Sequence, residues 1–224
     1  MKNQIKFGKI WLGIGSCAAC LPMVASAQLV QDGNFGAPSG GASFTTYYNG
    51  STMGSWTVGA GSVDLIGGYW EAPFPGQQSV DMAGFYQNGT IKQDISGLTV
   101  GQTYALTFYL AGNPDGLPAD KTLDVSFGGA GKSYTFVTTP TTTHSNMGWE
   151  LETEDFVANS TSEWLVFADA SATLPDGSPT AFGAVIGDVS LTAVPEPSTV
   201  FAGVLLLLPL GVSAIRVLRR DRTV

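Results

Sequence analysis

Arginine and cysteine are both missing from residues 28–194, and histidine occurs there once, as His144. Each absence removes a class of chemistry. Only Lys92, Lys121 and Lys132 stand against sixteen Asp and Glu in that segment, leaving a formal charge of −13. Nucleic-acid binding needs clustered Lys and Arg to displace counterions from phosphate, and anionic lipid headgroups need the same. Both are excluded as partners of the segment, whereas neutral polysaccharides and divalent cations remain compatible. Cys17 and Cys20 lie near the N-terminus, so no disulfide framework staples residues 28–194 and no thiol nucleophile is available there. One histidine is too few for a His-rich zinc site and makes a Ser-His-Asp triad hard to build. His144 follows Thr139-Pro140-Thr141-Thr142-Thr143, a polar stretch with a breaker, and reads as an exposed loop residue.

The two ends have a different character. Lys2, Lys6 and Lys9 precede an apolar stretch from Ile10 to Met23 and then Ala25-Ser26-Ala27. A charged start, a short hydrophobic segment and an A-x-A site make a cleavable signal peptide over residues 1–27, with Ala25 and Ala27 marking the cut. A lipoprotein leader cut before Cys17 is the alternative. At the other end, Pro195-Glu196-Pro197 is followed by an apolar run and then Arg216, Arg219, Arg220 and Arg222. As a helix, residues 199–217 would span about 28 Å, close to the hydrocarbon thickness of a bilayer. The arginines behind it act as a basic stop that stays cytoplasmic, so residues 28–198 face outward.

Between the ends, no stretch has a convincing helical period, and alternation of period two recurs instead. Tyr104, Leu106, Phe108 and Leu110 share one strand face. Leu123, Val125 and Phe127 alternate with Thr122, Asp124 and Ser126. Trp149 and Leu151 oppose Glu150, Glu152 and Glu154, and Val189 and Leu191 oppose Asp188 and Ser190. Further strands are expected near 54–58, 62–66, 78–83, 89–95, 132–138 and 162–169. Asn49-Gly50, Gly67-Gly68, Asn88-Gly89 and Asp176-Gly177 supply turn signals. Many short strands with Gly-rich turns predict an all-β fold, an antiparallel β-sandwich of the jelly-roll type.

Two resemblances add to this reading. The Pro195-Glu196-Pro197 motif, the apolar helix and the arginine cluster over residues 194–224 resemble the PEP-CTERM sorting signal of Gram-negative bacteria. That resemblance implies export, transient anchoring by the C-terminal transmembrane helix, and processing by an exosortase as the chain passes to the cell surface or an exopolysaccharide matrix. Residues 28–193 resemble the choice-of-anchor C family, itself related to a plant cell-wall family of unknown function. The resemblance is carried by Leu29-Val30-Gln31-Asp32-Gly33-Asn34-Phe35, Gly54-Ser55-Trp56-Thr57-Val58, Gln78-Ser79-Val80-Asp81-Met82 and Leu110-Ala111-Gly112-Asn113-Pro114. It implies a galactose-binding-like jelly roll associated with extracellular polysaccharide, and no known reaction. The chain departs from the family pattern at Gly36, where relatives often carry an acid that in related sandwiches can ligate calcium.

Three groups of residues are candidates for a site. Tyr69 and Trp70 fall on a loop set off by Gly67-Gly68 and Pro73, beside Gln77 and Gln78. Loop aromatics can stack on the apolar face of a sugar while amides meet its hydroxyls, although Trp70 folded back as a plug over the sandwich is the other reading. Asp32, Asn34 and Asp188 supply hard oxygen ligands for a structural calcium if the first and last strands are neighbours. Glu150, Glu152 and Glu154 share a face with i, i+2 spacings of about 6.6–6.8 Å along a strand, which overlaps the carboxylate separation of an inverting glycosidase. Three like charges in a row mark a solvated face more often than an acid pair. The expected function is therefore non-catalytic polysaccharide binding at the cell surface, with adhesion to a protein partner and polysaccharide modification as alternatives.

Overall fold

The computed structural model describes residues 27–195 apart from 86, 175 and 179. Ala27 and Pro195 stand at the two borders, both exposed. Ala25, Glu196, Pro197, the apolar segment 199–217 and the four arginines lie outside the described residues.

The described residues contain strands and no helix. In chain order the strands are β1 (Phe44–Tyr48), β2 (Thr52–Met53), β3 (Trp56–Ala60), β4 (Ser62–Ile66), β5 (Ser79–Asp81), β6 (Ala83–Gly84), β7 (Gln87–Asn88), β8 (Thr90–Ser96), β9 (Thr103–Gly112), β10 (Asp120–Phe127), β11 (Ala130–Val137), β12 (Glu150–Val157), β13 (Ser162–Asp169) and β14 (Ala184–Ala193). One six-stranded sheet runs β1-β4-β5-β14-β9-β12 and a second runs β11-β10-β13-β8-β3-β2, with β6-β7 as a small hairpin. Every pairing is antiparallel. We call the first sheet A and the second sheet B. From β8 to β14 the chain crosses repeatedly between them, so the two inner faces form one core.

The alternation sets which side chains fill that core. In β9 Tyr104, Leu106, Phe108 and Leu110 are buried, as are Leu123, Val125 and Phe127 in β10 and Leu165 and Phe167 in β13. A chain of aromatic contacts crosses the interior: Phe35 to Trp56 at 5.6 Å, Trp56 to Phe167 at 5.9 Å, Phe167 to Phe108 at 5.4 Å and Phe108 to Tyr134 at 5.2 Å between ring centroids. Each such ring removed from water contributes about 1.5–3 kcal/mol, and this replaces the disulfides that the sequence lacks.

The N-terminal segment lies along the last strand, as the calcium expectation required. Leu29 N donates to Leu191 O at 3.0 Å and Val189 N donates to Gly33 O at 2.8 Å. A Cβ on Gly33 would sit 1.9 Å from Val189 O, so only glycine lets the two backbones approach this closely.

Two expectations are corrected. β1 has no predicted counterpart, because as an edge strand it buries neither face and its sequence does not alternate. The glutamates of β12 do not form an outward solvated row. Glu150, Glu152 and Glu154 pair across with Leu110, Phe108 and Leu106, which places them on the core side, while Leu151 points outward and is 57% exposed. β12 is the edge of sheet A, so these carboxylates lean over the open margin of the sandwich. There Lys132 of β11 meets Glu154 at 2.5 Å and Tyr134 Oη donates to it at 3.4 Å. Partial burial, then the neighbouring Glu150, raise the Glu152 carboxyl above its ordinary pKa.

Candidate functional site

The loop between β4 and β5 is fixed from within. Trp70 is only 6% exposed and donates its Nε1–H to Ser79 Oγ at 3.0 Å. It packs with Ile66, Ala111, Met147 and Val185 on the outer face of sheet A. Trp70 is therefore the plug of the two readings. Gln78 donates to Phe35 O and to Pro38 O and accepts from Gly40 N at 2.6 Å, which uses both ends of its amide. Gln77 Nε2 donates to Asp188 Oδ1 at 2.8 Å. Tyr69 keeps an exposed edge, but its hydroxyl donates to Asp115 Oδ2 at 2.9 Å, and this bond raises its pKa. His144 is half-buried rather than free in its loop. Its ring stands 4.5 Å from that of Tyr69 and its Nε2 meets Asp115 Oδ1 at 2.7 Å. Three loops are thus tied together over sheet A, and little of this ring-rich surface is left to hold a sugar.

Asp32, Asn34 and Asp188 fall in one junction. Asp32, Phe35 and Asp188 all have left-handed backbone, with φ of 52°, 53° and 49°, a conformation that non-glycine residues adopt only when their surroundings hold them there. Asp32 Oδ1 accepts from Ala37 N at 3.2 Å and Asn34 Oδ1 from Gly36 N at 3.1 Å. Asp32 Oδ2 and Gln77 Oε1 are buried without a hydrogen-bond partner. Desolvation raises the Asp32 carboxyl above its ordinary pKa despite the Ala37 and Gly36 amides. No group of three or more His, Cys, Asp or Glu among the described residues is arranged to hold a metal, so a cation here would draw on amide and main-chain oxygens as well.

The outer face of sheet B offers what the loop does not. In β13 the inward residues Glu163, Leu165 and Phe167 are buried, so Trp164, Val166 and Ala168 must face outward. Trp164 is 50% exposed. Its cross-strand partner is Asp94, and Lys92 Nζ lies 4.7 Å from the centre of its ring. With Gln31, Ser55 and Thr57 these residues line a shallow depression of about 320 Å³. The base of the depression is rigid. Gln93, pointing inward, donates to Gln31 O at 2.8 Å and Ser55 O at 3.2 Å and accepts from Gln31 N at 2.7 Å. An aromatic face ringed by hydroxyls, an amide and both signs of charge suits stacking on a pyranose with hydrogen bonds to its hydroxyls. The sequence carried a signal for Trp164: within 162–169 it has the parity opposite to Leu165 and Phe167, which marks a tryptophan on a solvent face.

A family model described as a protein of unknown function, DUF642, matches residues 28–192. The chain belongs to that family. The matched span runs from the segment that lines β14 to the end of β14 itself, so the DUF642 unit is the whole sandwich. Halomucin of Haloquadratum walsbyi is 31% identical over 189 residues, covering 82% of this chain and 2% of halomucin. This DUF642 chain thus spans a small fraction of that relative. Among solved structures it resembles the CBM22-1 xylan-binding domain of Paenibacillus barcinonensis (14% identity, TM-score 0.40, 77% of this chain and 97% of that one). It also resembles a family 35 carbohydrate binding module from Clostridium thermocellum (15% identity, TM-score 0.39, 67% and 92%). At that level of overlap no ligand transfers from either.

The DUF642 sandwich also holds a buried charged network. Lys121 points inward from β10, fully buried, and donates to Gly116 O at 2.8 Å and Phe182 O at 2.6 Å. On the far side of the same peptide unit, Gly183 N donates to Asp81 Oδ1 at 3.2 Å. Asp81 Oδ2 accepts from Asn113 Nδ2 at 2.6 Å. Burial pushes the Asp81 carboxyl up to about 8 and the Lys121 ammonium down to about 8, and it raises Asp169 as well. The network clamps the segment before β14.

Proposed function

We propose that this DUF642 chain is an exported, non-catalytic β-sandwich of the galactose-binding-like jelly-roll kind that binds extracellular polysaccharide through the outer face of sheet B. The observation that carries the reading is Trp164, a half-exposed tryptophan seated among Lys92, Asp94, Thr57 and Gln31. Large aromatics usually stabilise cores, yet this one packs on a polar sheet face, where its ring is available to a ligand. Weak single contacts become effective when many copies stand at one surface. The test is binding of the full chain to a panel of polysaccharides by affinity electrophoresis, wild type against Trp164→Ala. The substituted chain is expected to keep its melting temperature and lose retardation. Equal retardation of the two proteins would remove Trp164 from the account.

The termini give the address in the same proposal. The signal peptide is cut after Ala27, the choice-of-anchor C sandwich passes outward, and the PEP-CTERM tail with Pro195-Glu196-Pro197 holds it at the membrane until an exosortase processes it for the surface or biofilm matrix. The mass of the mature surface form tests both cuts together, since an intact chain would contradict them. A structural calcium at Asp32, Asn34 and Asp188 belongs to this reading too. The two partnerless oxygens, Asp32 Oδ2 and Gln77 Oε1, support it, because a cation would satisfy them. Adhesion to a protein partner is the second reading. It is favoured by the exposed apolar patch on sheet A where Phe74 meets Tyr109 edge to face at 5.1 Å and Leu151 lies across from Tyr109.

A further inference from the structure

We infer that the ligand is a neutral glycan chain held by an internal stretch, laid across the strands of sheet B rather than gripped at an end; this rests on the polysaccharide reading above. The Trp164 depression has a neighbour. A second one, of about 340 Å³, lies on the same face and is lined by Asp124, Ser126, Gly131, Lys132, Val166 and Ala168 among others. The two flank β13 and meet at a single ladder step, because Lys92 of the first and Val166 of the second are direct cross-strand partners. Following the register outward from that step gives one continuous row, Thr57–Lys92–Val166–Ser126–Gly131, from β3 to β11.

The row has the dimensions and the chemistry of a chain-binding groove. Strands are about 4.8 Å apart, so the five strands span about 19 Å. A pyranose in an extended chain advances by a comparable distance, which places about one sugar on each strand. Beyond Lys92 the floor is made of small side chains, Val166, Ser126 and Gly131, with Ala168 beside them, so nothing large obstructs a chain leaving Trp164. Hydroxyls line the path at Thr57, Ser126 and Ser133. Both ends are open among the described residues. Gly131 is exposed on edge strand β11, and β2 beyond β3 is only Thr52–Met53. A site that recognised a chain terminus would need a wall at one end.

Charge sets the class. In the first depression Lys92 stands beside Asp94, and in the second Asp124 faces outward while the Lys132 ammonium pairs with Glu154 at the core-side margin, so neither offers a polyanion net attraction, and the domain around them carries −13. A uronate polymer meets repulsion over a Debye length without local compensation.

The experiment takes the full chain and screens xylan, galactan, mixed-linkage glucan, mannan and polygalacturonate. It then titrates the oligosaccharides of the neutral polymer that binds, from dimer to hexamer, by calorimetry. Affinity is expected to rise with length by about tenfold or more in all and to level off near the pentamer. Polymer binding should be unchanged when chain ends are reduced or capped. Ser126→Gln fills the second depression from β10, one strand over from β13 and two from Lys92. It should bring the pentamer down to the affinity of the dimer and leave the dimer itself unaffected, and Ala168→Gln makes the same test from β13. Trp164-dependent binding that ignores oligomer length, or that ignores both filled variants, would overturn the groove and leave the Trp164 platform standing. Tightest binding to polygalacturonate would overturn the neutral class. No binding to any polymer would refute the platform and the groove together.

Discussion

Asp81→Asn should reverse its effect on stability between acid pH, below about 3.8, and neutral pH. The wild-type carboxyl is fully buried and its pKa is pushed from 3.8 up to about 8 by desolvation, which outweighs the hydrogen bonds from Ala83 N and Asn113. A raised folded-state pKa means that the native protein holds this proton where the unfolded chain has lost it. The stability linked to it is fully present below about pH 3.8 and falls as pH rises, until the native carboxyl also ionises near pH 8. Inside that window each pH unit removes about 1.4 kcal/mol, so the wild type loses about 5 kcal/mol from this group between about pH 3.8 and about pH 7.5. Asparagine has no proton to lose. Its carbonyl can still accept from Ala83 N and Gly183 N, but its amide faces the amide of Asn113, which costs about 1 kcal/mol for one disturbed hydrogen bond. The variant should therefore be less stable than wild type by about 1 kcal/mol below about pH 3.8 and more stable by about 4 kcal/mol at about pH 7.5. Urea unfolding followed by tryptophan fluorescence measures both, provided the m-value is the same in the two proteins. A difference that does not change with pH would refute the reasoning. Lys121 titrates in the opposite sense. Its pKa is lowered from 10.5 to about 8, so the penalty for the buried ammonium is present below about pH 8 and is relieved as pH climbs to 10.5. The two groups can thus be separated by pH.

Trp70→Ala should destabilise the fold by about 3–5 kcal/mol, because it removes the ring that packs on Ile66, Met147 and Val185; undiminished stability in urea with lost glycan binding would make Trp70 a ligand contact instead. Gly33→Ala places a Cβ against Val189 O, and hydrogen exchange should show the Val189 and Leu191 amides losing protection as the N-terminal segment lifts from β14. Calcium at a hundredfold its dissociation constant should stabilise the protein by about 2.7 kcal/mol, read as a melting shift that Asp32→Asn abolishes; identical melting in calcium and in chelator would remove the metal from the proposal.

Strand positions were largely legible because period-two alternation depends only on which face of a strand meets the core. Strands β3, β4, β8, β9, β10, β11, β13 and β14 fall where that pattern places them. The reading failed where an element does not bury a face, as in β1, and where an edge changes what a face means. In β12 the charged parity is the core side, since at the sheet edge it meets Lys132 and the Tyr134 hydroxyl of β11 rather than an apolar layer. Asn88-Gly89 reads as a turn, yet Gly89 sits where the chain passes Ser62 O, which a Cβ would approach to 2.3 Å. The candidate site was partly legible. That Asp32 and Asp188 belong to neighbouring segments follows from strand order, but whether an aromatic loop residue faces water depends on what lies beneath it. Trp70 found an apolar hollow on sheet A, and Trp164 found only polar neighbours.

By itself the sequence determined the all-β class, the −13 charge of residues 28–194, and the absence of thiol and arginine from the sandwich. These are properties of composition and of local period, and they survive any arrangement of the strands. The tertiary structure alone decided which aromatic is plug and which is platform, that Lys121 and Asp81 share one buried network, and that two depressions align across β13. Each depends on strand register, which brings residues far apart in the chain to within one side chain of each other.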